Sequence, residues 1–189
     1  MTDFARLIVR LVMGGLLAGH GAQKLFGWFG GGGPEATAGM MESLEMRPAH
    51  RWAFLAGASE FGGGLLTALG ALNPLGPLGI IGSMTMATTT VHWGKPIWTT
   101  SGGAELPLTN LSIATALMIV GPGRFSVDHA LGIRLPRLVG VLGLIGVALT
   151  VGRAMQPAET PLLSTSEEPV AADAPVAEPT RSEREAISI

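Results

Sequence analysis

Four polar side chains sit inside otherwise apolar stretches: His20, Glu60, His92 and Asn110. Gln23, Lys24 and Glu105 stand near the ends of such stretches. Imidazole and carboxyl groups exchange protons near neutral pH when their surroundings tune them. A carboxyl group placed in a lipid-like interior must either find a partner or stay neutral. His20 and Glu60 are therefore candidates for a proton relay. His20, Gln23, Lys24, Glu60, His92, Glu105 and Asn110 together are candidates for binding a ligand. A structural hydrogen bond between His20 and Glu60, with no ligand at all, accounts for the same two residues. The chain has no cysteine, which removes disulfides, thiolate nucleophiles, Cys-ligated zinc and iron–sulfur clusters. No metal site is assigned. Haem on His20 and His92 would rest on two histidines alone, which is weak support.

Composition says what must position these groups. Of 189 residues only 14% are charged, against roughly 25% in ordinary soluble domains, while 47% are hydrophobic and 28 are glycine. This is not the composition of a soluble enzyme. With no basic stripe and no tyrosine, nucleic-acid binding is not expected either. Apolar stretches run over 5–26, 52–72, 75–93, 106–121 and 135–155. About 20 helical residues cross a bilayer, so the expected fold class is all-α, a polytopic transmembrane helical bundle. Small residues four apart, Gly15 with Gly19 and Gly64 with Ala68, would let its helices approach closely. Beyond 155 the Pro-, Ala-, Glu- and Ser-rich sequence carries seven acids and two bases, the composition of a disordered acidic tail. The expected organisation is a core over 1–134, an additional transmembrane or interfacial helix over 135–155, and the tail over 156–189.

Counting residues inward from 26, 52, 93 and 106 puts His20 about 9 Å, Glu60 about 12 Å, His92 about 2 Å and Asn110 about 6 Å deep in one leaflet. Lys24, Lys95 and Glu105 mark the mouth of that cluster. Arg6 and Arg10, at the other end of the first stretch, read as anchors that snorkel to the interface. The positive-inside rule ties, five basic residues against five. The acids Glu35, Glu42, Glu45 and Glu105 on one side favour a cytoplasmic N-terminus. Asp3 and the polar run His20, Gln23, Lys24 argue for a retained helix rather than a cleaved signal.

Two loops have their own logic. Gly30 to Gly33 is a hinge before Pro34, and residues 35–46 place Met40, Met41 and Leu44 on one side, as an interfacial amphipathic helix or as a lid over the polar cluster. The run Gly121, Pro122, Gly123, Arg124, Phe125, Ser126, Val127, Asp128 lacks the ending of a phosphate loop. It stops one helix at Gly-Pro and starts another, with Ser126 as N-cap and Asp128 near the positive helix end.

Four blocks, in order, resemble the DoxX family of bacterial membrane proteins: residues 19–27 (GHGAQKLFG), Glu60 followed by Gly62-Gly63, residues 102–108 (GGAELPL) and residues 121–128 (GPGRFSVD). Ala104 and Leu106 stand where the family often has aromatics. The resemblance implies a four-helix membrane core in the bacterial plasma membrane, with the fifth stretch and the tail as extensions. It also implies a link to quinone-dependent thiosulfate oxidation, or to membrane redox assemblies containing superoxide dismutase and a sulfurtransferase. The function expected on these grounds is an accessory subunit of a membrane oxidoreductase system, with a quinone as the cofactor, the lipid bilayer and such redox proteins as partners, and homo-oligomers allowed. A small-molecule or lipid transporter or binding module, without a redox role, is the competing reading.

Overall fold

In the computed structural model, which describes residues 2–156, all five apolar stretches are helical, and no strand occurs among the described residues. The long elements are α1 (Thr2–Phe26), α2 (Gly33–Ser43), α3 (Ala49–Leu69), α4 (Leu75–Thr90) and α5 (Glu105–Val120). A short α6 (Val127–Leu131) precedes α7 (Arg137–Ala154). Beyond Gln156, the expectation of an acidic tail lies outside the described residues.

Helix ends fall where glycine and proline require. Pro48 starts α3, and Gly70, at φ 64°, ends it in the left-handed conformation that a side chain disfavours. Gly121 and Pro122 stop α5, and Pro136 precedes the first turn of α7. At 16 residues each, α4 and α5 are about 24 Å long. Among the described residues, Thr2–Phe26 and Arg137–Ala154 are long and apolar enough to be candidate membrane spans by length and composition alone.

The helices alternate in direction. α3 runs antiparallel to α1, so that Gly70 meets Arg10, Gly64 meets Gly14 and Gly57 meets Leu25. α4 returns along α3, with Gly76 against Thr67 and Gly79 against Ser59. α5 runs antiparallel to α4, and α7 runs parallel to it, with Gly143 against Leu78 and Gly82 against Val147. α1, α3, α4 and α5 thus form the bundle, α7 leans on α4, and α2 lies across α1 and α3.

The α1–α3 seam is closer than ordinary side chains permit. A Cβ on Gly14 would lie 2.6 Å from Gly64 O and Ala68 N, and one on Gly64 would lie 2.6 Å from Gly14 O. Backbone-to-backbone approach of this kind is how helices pack where burial supplies little drive. Gly64 and Ala68 are in the seam as their spacing suggested. Gly15 and Gly19 are not, because their positions open onto no neighbour within 4 Å; the row that packs on α1 is Gly14, Ala18 and Gly21. Beside the seam, Met13, Leu17, Ile80, Ile81, Met84, Ala114 and Leu117 form one buried cluster, and Ala38, Met41, Met46 and Ala53 pin α2 down as another.

The outside is apolar as well. Phe4, Ile8, Leu16, Ile119, Leu138, Val141, Leu142 and Leu149 are all exposed. Exposed apolar side chains in such number call for lipid or a partner.

Candidate functional site

A cavity of about 550 Å³ opens between α2, α3, α4 and α7. Met40 and Met41 of α2, with Leu44 and Met46 beyond it, form one wall, Leu55 and Ala56 of α3 a second, and Leu78 and Met86 of α4 a third. Gly146, Val147 and Thr150 of α7 complete it. Trp52 is the aromatic residue on this surface. Methionine walls adapt to ligands of different outline because the side chain is unbranched and polarizable.

Lys24 and Glu60 border this apolar space. Glu60 is 5% exposed, and its Oε1 accepts a hydrogen bond from Lys24 Nζ at 2.5 Å. Lys24, on the last turn of α1, reaches down to the middle of α3. Gly57 leaves room beside it for the Leu25 side chain and for the stem of Lys24, both of which a Cβ there would meet. Glu60 Oε2 is buried and has no hydrogen-bond partner among the described residues. One carboxylate oxygen is therefore held by the ammonium group, and the other is an unsatisfied acceptor.

The other expected site residues divide. His92 also borders the cavity, and its Nδ1 lies 2.6 Å from the carbonyl of Gly102; with the proton on Nδ1, a neutral ring leaves Nε2 as an acceptor. His20 does not face Glu60: its side chain is exposed, and Nδ1 lies 3.1 Å from Gln23 Oε1 on the next turn. One turn of α1 separates His20 from Lys24 along the axis, but the α3 face belongs to Gly14, Ala18 and Gly21. His20 therefore turns outward. Gln23 Nε2 donates to Phe29 O at 3.4 Å and so holds the turn after α1. Glu105 accepts from the Thr99 N–H at 3.0 Å and shapes the loop before α5. Asn110 approaches Met84 Sδ at 3.8 Å in the bundle. Lys24 and Glu60 are paired and His92 borders the same cavity; His20, Gln23, Glu105 and Asn110 do not border it.

A second polar cluster lies at the opposite end of the bundle. Arg10 does not snorkel. It is 2% exposed, and its Nη2 donates to the carbonyl of Phe125 at 2.5 Å. Gly70 makes room for it, since a Cβ there would overlap the guanidinium. Asp128 accepts from the backbone N–H groups of Leu72 at 2.7 Å and Asn73 at 2.8 Å, tying the 121–128 run to the α3–α4 turn. Ser126 caps α6, its Oγ accepting from the His129 N–H at 3.2 Å and donating to Gly123 O at 2.6 Å. Gly123 packs against Asp3 and Arg6, and the Arg124 N–H donates to Asp3 Oδ1 at 3.3 Å. The run Gly121, Pro122, Gly123, Arg124, Ser126 and Asp128 thus fastens three helix ends together.

Sequence reasoning missed the α7 wall, because a stretch read as an appendage gave no reason to look for Gly146 or Thr150 beside Glu60. The signal was present in the glycines at 140, 143 and 146, which keep one side of that helix slim.

Comparison with curated proteins finds no match, and comparison with solved structures finds none either. A family model does match, over residues 5–93, a stretch that contains nearly all of α1, all of α2 to α4, and the residues Lys24, Glu60 and His92. It ends before the 102–108 and 121–128 blocks and before α7. That match, over 89 of the 189 residues, supports membership of the DoxX family and with it a membrane protein.

Proposed function

We propose that this chain is a polytopic protein of the bacterial plasma membrane that holds a lipophilic molecule with one polar head in the α2–α3–α4–α7 cavity. In this reading it serves as an accessory subunit of a membrane oxidoreductase system. The observation that carries the proposal is the combination of an apolar cavity of about 550 Å³ with a single ion pair on its wall. An isolated buried ion pair does little for stability, so a ligand-binding role is the better account of its position. Lys24 can donate to a ligand carbonyl, and Glu60 Oε2 can accept from a ligand hydroxyl or take up a proton. A quinone and its reduced form present those two groups. Electrons and any sulfur chemistry belong to partner proteins, since the chain has no thiol. A superoxide dismutase or a sulfurtransferase fits that part.

The alternating helix directions support five crossings, with the start of α1 in the cytoplasm and the end of α7 outside. A lipid-binding or transport role without redox chemistry is favoured by a different feature. The walls are mostly aliphatic and methionine, with Trp52 the one aromatic side chain among those residues available to stack on a ring.

The test is solvent extraction of the purified protein, followed by mass spectrometry and absorbance of what co-purifies. A quinone enriched over bulk membrane lipid, and reduced in amount by Glu60→Gln, is the expected result. Enrichment of a redox-inert lipid instead would support the second reading. No enrichment of any lipophile would overturn both.

A further inference from the structure

At the start of α1, on the end of the bundle away from the cavity, two clefts adjoin and share Asp3, Arg124 and His129. One, of about 520 Å³, is bordered by Arg6, Arg124 and Arg134. The other, of about 830 Å³, is bordered by Phe4, Ala5, Ile8 and Phe125. The acids nearby have partners, Asp3 through one oxygen and Asp128 through both. Asp3 Oδ1 accepts from Arg6 Nη1 and from the Arg124 N–H, each at 3.3 Å, and both Asp128 oxygens accept backbone N–H groups. The side chains of Arg124 and Arg134 are exposed and form no ion pair among the described residues. From the apolar cleft an exposed row continues along α1 at four-residue spacing: Phe4, Ile8, Val12 and Leu16. Those twelve residues of rise cover about 18 Å.

We propose that this end of the bundle binds one anionic phospholipid, with its phosphate between Arg124 and Arg134 and an acyl chain along Phe4, Ile8, Val12 and Leu16. The inference rests on the membrane reading above but not on the cavity ligand. A charged cleft continuous with an apolar groove matches an amphiphile, whereas free phosphate would use the first cleft alone. Guanidinium forks pair with phosphate oxygens through parallel charge-assisted hydrogen bonds. With the N-terminus inside, the site faces the leaflet where basic pockets at helix ends meet anionic headgroups. A net negative lipid is favoured over a zwitterionic one, because a choline group would bring positive charge to an already basic cleft.

The experiment is a native mass-spectrometric titration of the full chain in detergent. The probes are phosphatidylglycerol, phosphatidylcholine with the same acyl chains, and inorganic phosphate. Phosphatidylglycerol should bind at least tenfold more tightly than phosphatidylcholine. Arg124→Gln and Arg134→Gln should each weaken it about fivefold, leaving phosphatidylcholine and the cavity lipophile unchanged. Excess inorganic phosphate should not displace the lipid. Equal binding of the two lipids, or an unaltered preference in the double variant, would overturn the proposal. So would displacement by phosphate, which would identify a free-anion site. Absence of the lipid preference in the unaltered chain, with that chain still recovered from membranes, sinks this site alone. Recovery of the chain from the aqueous fraction would sink the membrane reading beneath it.

Discussion

Lys24 Nζ and Glu60 Oε1 lie 2.5 Å apart across the α1–α3 seam, and the two partners are unequally buried, with 27% of the lysine side chain exposed and 6% of the glutamate. The inequality predicts an asymmetric response to mutation. Lys24→Met strands a buried carboxylate and should cost about 3–5 kcal/mol. Glu60→Gln leaves an ammonium that can turn toward solvent, so it should cost clearly less. Thermal unfolding in detergent measures both, and Lys24→Met combined with Glu60→Gln should recover much of the first loss. Equal losses in the two single variants would mean that the pair is not buried as the geometry has it.

Gly14 and Gly15 are neighbours in sequence with opposite surroundings. Gly14→Leu must push α1 and α3 apart and should destabilise by about 1–3 kcal/mol or more. Gly15→Leu adds a side chain where nothing lies within 4 Å and should be tolerated. Detergent stability and yield of the two variants provide the comparison.

The class of fold was legible because apolar length and glycine–proline punctuation act locally: every expected helix is present, displaced by at most a few residues. Which face of each helix packs was not legible. In a chain apolar on all sides, Gly14 and Gly15 look alike, and only the partner helix distinguishes them. Depth counting gathered His20, Glu60, His92 and Asn110 at one end but could not assign azimuth, so Glu60 was matched to His20 at similar depth. Lys24, a turn farther along the axis, carries a side chain long enough to cross that interval. Arg10 misled for a related reason. An arginine near a helix end is cheapest at the interface, unless a glycine on the facing helix leaves it a place, and Gly70 lies 60 residues away in sequence.

Gly70 and Arg10 should be coupled. Gly70→Ala forces a side chain into the guanidinium and onto a positive-φ backbone, and should cost more than the roughly 1 kcal/mol that a left-handed conformation alone would impose. Arg10→Ala loses the bond to Phe125 O but frees that space. Adding Gly70→Ala to Arg10→Ala should therefore cost less than Gly70→Ala costs on its own. Strict additivity of the two changes would show that they do not meet.

Topology is open to a direct measurement. In the proposed topology α1 starts inside, and α7 is parallel to α4, so a reporter joined after Gln156 should be active outside the cytoplasm, and one joined in the 132–135 turn should be active within it. The reverse pattern at either position would invert or remove a crossing.

Gly146 offers a way to reach the cavity without touching the ion pair. It borders the cavity from α7, and a Cβ there meets no atom within 4 Å, whereas at Gly143, one turn earlier, it would run into Leu78. Gly146→Leu should therefore occupy ligand space and leave the α4–α7 contact intact. Gly143→Leu should prise that contact apart. The expected outcome for Gly146→Leu is unchanged thermal stability with at least a tenfold fall in co-purifying lipophile, about 1.4 kcal/mol of binding. Gly143→Leu should lose both stability and ligand. If Gly146→Leu retains its full complement of lipophile, the molecule is not held against α7, and the wall that lies outside residues 5–93 has no part in choosing it.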